Sequence, residues 1–375
     1  MKLKIEKYNN KLSAVGNWSI HPKPQKKFKF CMVVPCYSES HIISNLLDSI
    51  LLQNINLLNE MAVIIVVNNS VDADEKIVND NYKTINIITD YGSRMNIYYI
   101  DAFSGQYALS KKKSGVGFSR KLGVDKFISY LFEDSLICFT DADVVLDPSY
   151  LTEINNFYAK TNCSAFLVGF KHQKSSDQLI NKYIVEYEKY LKDTAKSIKD
   201  AGSIYGYVSI GSCMGCTLEA YIAVGGMPAI KATEDFYFLQ ALSKYRKIMH
   251  IKKEIVFPSS RNELRVHLGT GFRVNQLLSG LDIKDLYYSK KSYDYLKSVL
   301  SILHMSWYDS IEETSKKLRA ISNKILNFFE NENYDEYLIK IKTNVTTQEQ
   351  YIHQLNRWFD GLKTIQFLNY FSNKN

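Results

Sequence analysis

Residues 136–143, with the sequence LICFTDAD, join a short apolar run to two aspartates. The apolar part predicts a buried strand. Alternate residues of a strand point the same way, so Asp141 and Asp143 can converge where this strand ends. Two carboxylates this close repel each other unless a cation or a hydrogen-bond donor lies between them. Their hard oxygens suit Mg2+ or Mn2+, ions that also bind diphosphates, although a simple capping pair would have the same sequence.

Strands and helices alternate through most of the chain that surrounds this stretch. Continuous apolar runs predict strands, and stripes of apolar residues at helical spacing predict helices between them. Strands that are apolar on both faces indicate a mostly parallel sheet with helices on both faces, an α/β fold. The expected strands are 30–35, 62–67, 96–100, 136–140, 166–170 and 248–258, and the expected helices are 38–52, 117–132, 179–199 and 236–245.

Polar residues follow the strands of this predicted sheet at the points where the strands end. In parallel sheets, ligands bind beyond the carboxyl ends of the strands, so this repeated placement predicts a nucleotide site. Asp101 could instead cap its own turn. The residues expected at the nucleotide-sugar are Pro35, Tyr37, Glu39, Asn68, Asn69, Asp101 and Asp141.

Composition is consistent with a folded protein that binds an anionic ligand. The chain has 375 residues, enough for one large domain and an accessory region. Its net charge of +8 fits a nucleotide or an acidic membrane surface. Long runs of Lys and Arg with interleaved aromatic residues are lacking, so no nucleic acid is expected as a partner.

Changes in composition divide the chain into three predicted parts. Residues 1–27 are expected to be a loosely attached basic arm, 28–280 the catalytic domain, and 281–375 a helical accessory region. The N-terminus lacks a signal-like apolar core, which predicts a cytoplasmic protein. Aromatic residues and lysines in the C-terminal region are expected to pack on the catalytic domain or on a second copy in a homodimer. Peripheral contact with the inner face of the cell membrane stays open for this region.

Five motifs in the order of the chain resemble those of a family 2 glycosyltransferase with the GT-A fold. Together they span roughly residues 30–275. They are VVPCYSE at 33–39, VVNNS at 66–70, GVGFSRKLG at 115–123, DAD at 141–143 and TED at 233–235.

The resemblance implies the roles of the acidic residues. It implies an inverting, metal-dependent transferase of hexosyl type that moves one sugar from a nucleotide-diphosphate sugar to the hydroxyl of a sugar or lipid-linked acceptor. The implied setting is cell-surface polysaccharide or glycolipid assembly. Asp235 is the expected general base, with Glu234 as the alternative, and a plain helix cap stays open for Asp235. Asp143 is the expected ligand of Mn2+ or Mg2+, with Asp141 and His267 as further candidates.

Basic and glycine-containing segments complete the set of candidates. Arg120, Arg265 and Arg273 are expected to contact the diphosphate, although Arg120 could merely pair with a surface acid. Gly211 and Ser212 are expected to line the acceptor side, or else to pack closely. Two other functions stay open: a nucleotidyltransferase that acts on sugar phosphates, and a non-catalytic module that binds a nucleotide-sugar.

Overall fold

The computed structural model describes residues 1–14, 16–261 and 269–372. In this part of the chain, nine strands form one mixed sheet. The strands are β1 Ile20–His21, β2 Phe28–Cys36, β3 Met61–Asn68, β4 Ile97–Ala102, β5 Leu131–Phe139, β6 Val145–Leu146, β7 Ala165–Phe170, β8 Met214–Thr217 and β9 Met249–Phe257. Their order across the sheet is β1-β4-β3-β2-β5-β8-β7-β9-β6.

Helices connect these strands and continue to the C-terminus. The helices are α1 Lys2–Lys11, α2 Ile43–Leu51, α3 Ile55–Asn59, α4 Glu75–Tyr91, α5 Val116–Phe127, α6 Tyr150–Thr161, α7 Gln178–Asp200, α8 Leu218–Ala223, α9 Glu234–Tyr245, α10 Thr270–Leu278, α11 Lys290–Met305, α12 Ile311–Ile321, α13 Asn323–Asn331, α14 Tyr334–Asn344, α15 Gln348–Trp358 and α16 Gly361–Phe371. Among the described residues, no helix is both long and apolar enough to cross a bilayer.

The centre of the sheet is parallel, and its strands end at one edge. Strands β4, β3, β2 and β5 lie side by side in parallel, and β8 then pairs with β5 in the opposite direction. Val33 of β2 lies opposite Ile64 of β3 and Phe139 of β5. This register brings the residues that follow β2, β3 and β5 to the same edge, as the sequence predicted.

Helices cover both faces of the central strands. All eight residues of β3 are buried, which requires cover on each side of the sheet. One cover is α5, which lies so close that a Cβ on Gly123 would be 2.5 Å from Cγ1 of Val33 and 3.1 Å from Cγ2 of Val66. The predicted α/β class, with a mixed, mostly parallel sheet, is confirmed.

The described chain divides into two compact units. The first comprises residues 1–184 and 209–275, and it contains the whole sheet. The second comprises residues 185–208 and 276–375, and it is helical where the structure describes it. The predicted C-terminal helical region is therefore confirmed. The domain boundaries given from the sequence stay a prediction about which parts fold on their own.

The second unit has its own core, built largely of aromatic and leucine side chains. Phe329, Phe359 and Phe367 are almost fully buried in it, and Trp307 and Trp358 pack against it half-buried. Tyr370, in contrast, is 49% exposed. Most of the aromatic residues that suggested a membrane surface therefore contribute to the core of this unit. Membrane contact and a homodimer stay predictions.

The N-terminal arm is anchored, contrary to the loose attachment expected from its polar sequence. Helix α1 places the Tyr8 ring in a buried position, where its hydroxyl donates to Asp125 Oδ1 at 2.7 Å. Lys121 Nζ donates to the same hydroxyl at 2.7 Å. Asp125 Oδ2 also accepts from the backbone N–H of Ala14 at 2.6 Å. These polar partners come from α5, more than 100 residues away in the chain, so the local pattern gave no sign of the attachment.

Candidate active site

The two aspartates that follow β5 lie in a tight turn. The N–H of Val144 donates to the carbonyl oxygen of Asp141 at 3.2 Å and closes this turn. The side chain of Gln173 donates to the carbonyl oxygen of Asp143 at 2.9 Å, which is a second hydrogen bond that holds the turn. The Asp141 and Asp143 side chains are 38% and 23% exposed. Both carboxylates are therefore accessible at the edge of the sheet where a ligand was expected.

Arg120 joins the aspartate turn to the acidic start of α9. Its side chain is only 2% exposed, and Nη2 donates to Asp141 Oδ1 at 2.5 Å. Nη1 forms an ion pair with Glu234 Oε1. Gly211 makes room for the guanidinium, because a Cβ at that position would lie 2.3 Å from Nη1 and Nη2. Arg120 thus pairs with buried and half-buried acids of the site, and not with an acid on an outer surface.

Helix α9 presents two consecutive carboxylates in its first turn. Thr233, directly before it, has a φ of 64°, a backbone conformation that is costly for a β-branched residue. Glu234 is buried, whereas Asp235 is half-buried and accepts from the Phe236 N–H at 2.7 Å. The strained residue thus precedes the predicted base and fixes the direction in which the helix begins.

Burial makes both carboxyl groups weaker acids than usual. Burial, together with the charge of Asp235, raises the pKa of Glu234 to about 7 against the opposing effect of Arg120. Burial also raises the pKa of Asp235, although Arg120 and the Phe236 N–H oppose the shift. A carboxylate that holds a proton more tightly than usual is a better general base near neutral pH.

A second arginine, Arg261, links Asp143 to the turn after β2. Nη1 and Nη2 of Arg261 each donate to one oxygen of Glu39 at 2.9 Å. Nη2 also donates to Asp143 Oδ2 at 2.7 Å. Sequence analysis missed Arg261, which lies 222 residues from Glu39. Only its place three residues after a predicted strand, in the region where the ligand-binding residues were sought, could have indicated it.

The polar residues after β2, β3 and β4 differ in how far they face solvent. Tyr37 is 39% exposed, whereas Asn68 and Asn69 are buried. Asn69 donates to the carbonyl oxygen of Phe103 at 3.2 Å. Asp101 Oδ1 accepts from the backbone N–H groups of the next turn, each at 3.0 Å. The structure thus shows local structural contacts for Asn69 and Asp101, and greater exposure to solvent for Tyr37, which directly follows β2.

The structure gives other contacts for two of the remaining predicted residues and does not describe the other two. Ser212 is buried, with its hydroxyl 3.8 Å from Cys213 Sγ. Arg273 lies in α10, where its guanidinium is 5.9 Å from the ring centre of Phe272. Arg265 and His267 fall outside the described residues.

The aspartates provide suitable ligand atoms for a divalent cation. Carboxylate oxygens are the ligands that Mg2+ and Mn2+ prefer, and Asp143 offers them in an accessible position. Within the described residues, no group of three or more His, Cys, Asp or Glu side chains is arranged to hold a metal ion. The residues fit a cation that is held by one or two carboxylates and shares its other positions with a diphosphate and water.

Sequence comparison identifies the class of protein to which this site belongs. The family model described as glycosyl transferase family 2 matches residues 31–222, slightly more than half of the chain. The matched residues include most of β2, all of β3 and β5, Arg120 and both aspartates of the turn. The chain therefore belongs to glycosyltransferase family 2. No curated protein matches it.

Several solved structures are similar to this one at low sequence identity. Residues 1–349 of S. aureus TarS in complex with UDP-GlcNAc are 16% identical, with a TM-score of 0.47 over 78% of this chain and 79% of that chain. The mannosyltransferase PcManGT from Pyrobaculum calidifontis, in complex with GDP-Man and Mn2+, is 15% identical. Its TM-score is 0.42 over 96% of this chain and 95% of that chain.

Proposed function

We propose that this family 2 glycosyltransferase is an inverting hexosyltransferase, which moves one sugar from a nucleotide-diphosphate sugar to an acceptor hydroxyl. One observation carries the proposal. The buried Arg120 pairs with both Asp141 and Glu234, so the expected diphosphate end and the expected base end of the site belong to one charged cluster. Sugar transfer needs these two ends close together, because the acceptor attacks opposite the bond that breaks.

Asp235 is the general base in this proposal. Arg120 forms its ion pair with Glu234, and Asp235 lies next to that pair with a half-buried carboxylate. The acceptor O–H gives its proton to Asp235, and its oxygen forms a bond to the anomeric carbon of the donor sugar. The bond from that carbon to the diphosphate oxygen breaks, and the electron pair leaves with the nucleoside diphosphate. A direct displacement of this kind inverts the configuration at the anomeric carbon.

The leaving diphosphate is stabilised by positive charge at the aspartate turn. Asp143, with Asp141, would hold Mn2+ or Mg2+, which supplies that charge when bound. Tyr37 offers an exposed ring at the end of β2 for the nucleotide. Gly211 lies against the Arg120 guanidinium, so we place the acceptor side next to the base. We also propose a role in cell-surface polysaccharide or glycolipid assembly, at the cytoplasmic face of the membrane.

Donor binding tests the proposal directly. We expect one member of a panel of UDP-, GDP- and dTDP-sugars, with Mn2+ present, to raise the Tm of the full chain by several degrees. A ligand at 100 times its Kd stabilises the native state by about 2.7 kcal/mol. The matched control is the same panel without divalent cation. A panel in which no nucleotide-sugar raises the Tm would contradict the proposed function. Binding without transfer of the sugar to any acceptor would indicate a non-catalytic module.

The pH dependence of transfer tests the coupling of Asp235 to Glu234. We expect kcat/KM to rise with pH as the base loses its proton. We expect Glu234→Gln to move this rise to lower pH. Asp235 raises the pKa of Glu234, and such an interaction is reciprocal, so loss of the Glu234 charge makes Asp235 easier to ionise. The check is kcat/KM from pH 4.5 to 8 for both proteins, with donor Kd as the control. A rise at unchanged or higher pH would contradict the coupling.

A further inference from the structure

Arg261 forms the closest polar contacts that the structure shows for the Asp143 carboxylate. Both of its Nη atoms donate to the Glu39 carboxylate at 2.9 Å, and Nη2 also reaches Asp143 Oδ2 at 2.7 Å. The Glu39 side chain is 8% exposed, and those of Arg261 and Asp143 are 21% and 23% exposed. The three groups form a partly buried cluster in which one positive charge lies between two negative charges.

A divalent cation and Arg261 would compete for the same carboxylate oxygens. A Mg2+ ion lies about 2.0–2.1 Å from its oxygen ligands. Arg261 Nη2 already lies 2.7 Å from Asp143 Oδ2, so an ion at that oxygen would be next to a guanidinium. The divalent cation and the guanidinium are both positive, and two positive charges that close together repel strongly in a partly buried site.

We propose that Arg261 is a resident cation of the diphosphate site, which must leave Asp143 before a divalent ion can bind there. This inference rests on the proposed function, because it takes Asp143 as the ligand of the ion. The donor diphosphate provides the exchange partner, since a guanidinium binds phosphate oxygens in the same forked geometry that it uses on Glu39. Donor and metal binding then strengthen each other, although each is weak alone.

The affinity for Mn2+ in the absence of donor is the quantity that this exchange controls. We expect Arg261→Gln to bind Mn2+ at least tenfold more tightly than the wild-type full chain, as measured by the electron paramagnetic resonance signal of free Mn2+. Arg246→Gln removes the same charge at an exposed position and is expected to leave the affinity unchanged. Adding Asp143→Asn to Arg261→Gln should abolish the gain and thereby locate it at this carboxylate.

Equal or weaker Mn2+ affinity in Arg261→Gln would overturn the proposal, as would a gain that survives Asp143→Asn. If Arg261→Gln does not fold, Arg261→Lys provides the same comparison. It retains a charge for Glu39 but loses the fork, and its Mn2+ affinity is expected to rise at least threefold. If the Mn2+ affinity of Arg261→Lys does not rise, the exchange is refuted. If the wild type binds a nucleotide-sugar but the Arg261 variants bind Mn2+ no more tightly than it does, only the exchange is refuted. If the wild type binds no nucleotide-sugar, the proposed function is refuted.

Discussion

Asp235→Asn is expected to lower kcat by about 10²- to 10⁴-fold, the usual contribution of a general base. The donor should still bind with nearly wild-type Kd. Asp235 Oδ1 accepts a hydrogen bond from the Phe236 N–H at 2.7 Å, and the amide oxygen of Asn can accept the same bond. The start of α9 is therefore expected to keep its structure. The measurements are single-turnover transfer and donor-dependent thermal shift on the same preparation.

Glu234→Gln is the matched control for Asp235→Asn, because it makes the same chemical change one residue earlier. Glu234 is buried against Arg120, and a glutamine there can still accept a hydrogen bond from the guanidinium. We expect the kcat of Glu234→Gln at optimal pH to fall by less than about tenfold, because Asp235 is still present to take the proton of the acceptor hydroxyl. Near-normal transfer by Asp235→Asn together with a large loss in Glu234→Gln would make Glu234 the base instead.

The sheet could be predicted from the sequence because its central strands are buried on both faces. Strand β3, for example, is a continuous apolar run with no competing pattern. Helix α4 was missed, since two of its four buried residues, Asn81 and Thr84, are polar and hide the helical period. Asn81 is buried because its amide supports neighbouring turns, including the backbone N–H of Ser38 at 2.9 Å. Such partners are defined only by the tertiary structure.

Helix α2 shows how tertiary contacts also shift a boundary. The apolar stripe and the serines before it predicted a helix from residue 38, but α2 begins at Ile43. Ser38 has a φ of 53°, a left-handed conformation that cannot continue into a helix. The backbone N–H of Ser40 donates instead to Asp80 Oδ2 at 3.1 Å. Contacts with α4 thus hold the chain between β2 and α2 as a turn, and this turn lies at the edge of the sheet where the ligand is expected.

The acidic residues of the candidate site and Arg120 were named from the sequence, but the ion pairs between the arginines and these acids were not. The pairs with Asp141 and Asp143 follow directly from the repulsion expected of two close carboxylates. The sequence alone does not show which positive side chains offset the repulsion between the two carboxylates. Arg120 lies 21 residues before Asp141 and 114 before Glu234, and no local spacing connects these positions. Pairings over such distances depend on which helix packs on which strand.

Arg120→Met is expected to reduce the free energy of unfolding by about 3–5 kcal/mol, the usual cost of breaking a buried ion pair from one side. The side chain is 2% exposed, and its loss leaves Glu234 buried without its positive partner, so that above its pKa the carboxylate is an uncompensated charge. Met replaces the aliphatic part of the side chain, so the change removes the charge, the hydrogen bonds and the volume of the guanidinium. The measurement is urea unfolding of the full chain, at pH 7 and at a pH above the raised pKa of Glu234.

Two comparisons separate lost charge from lost packing in Arg120→Met. Adding Glu234→Gln removes the stranded charge and should recover part of the lost stability, whereas a packing defect would remain. The deficit should also depend on pH. Burial already raises the pKa of Glu234 to about 7, and without Arg120 this pKa rises further. Below about pH 7 both native proteins hold this proton, so the deficit grows as the pH rises above 7 and is smaller and constant below it. A loss below about 1 kcal/mol, or one independent of pH, would show that the buried cluster does not depend on Arg120.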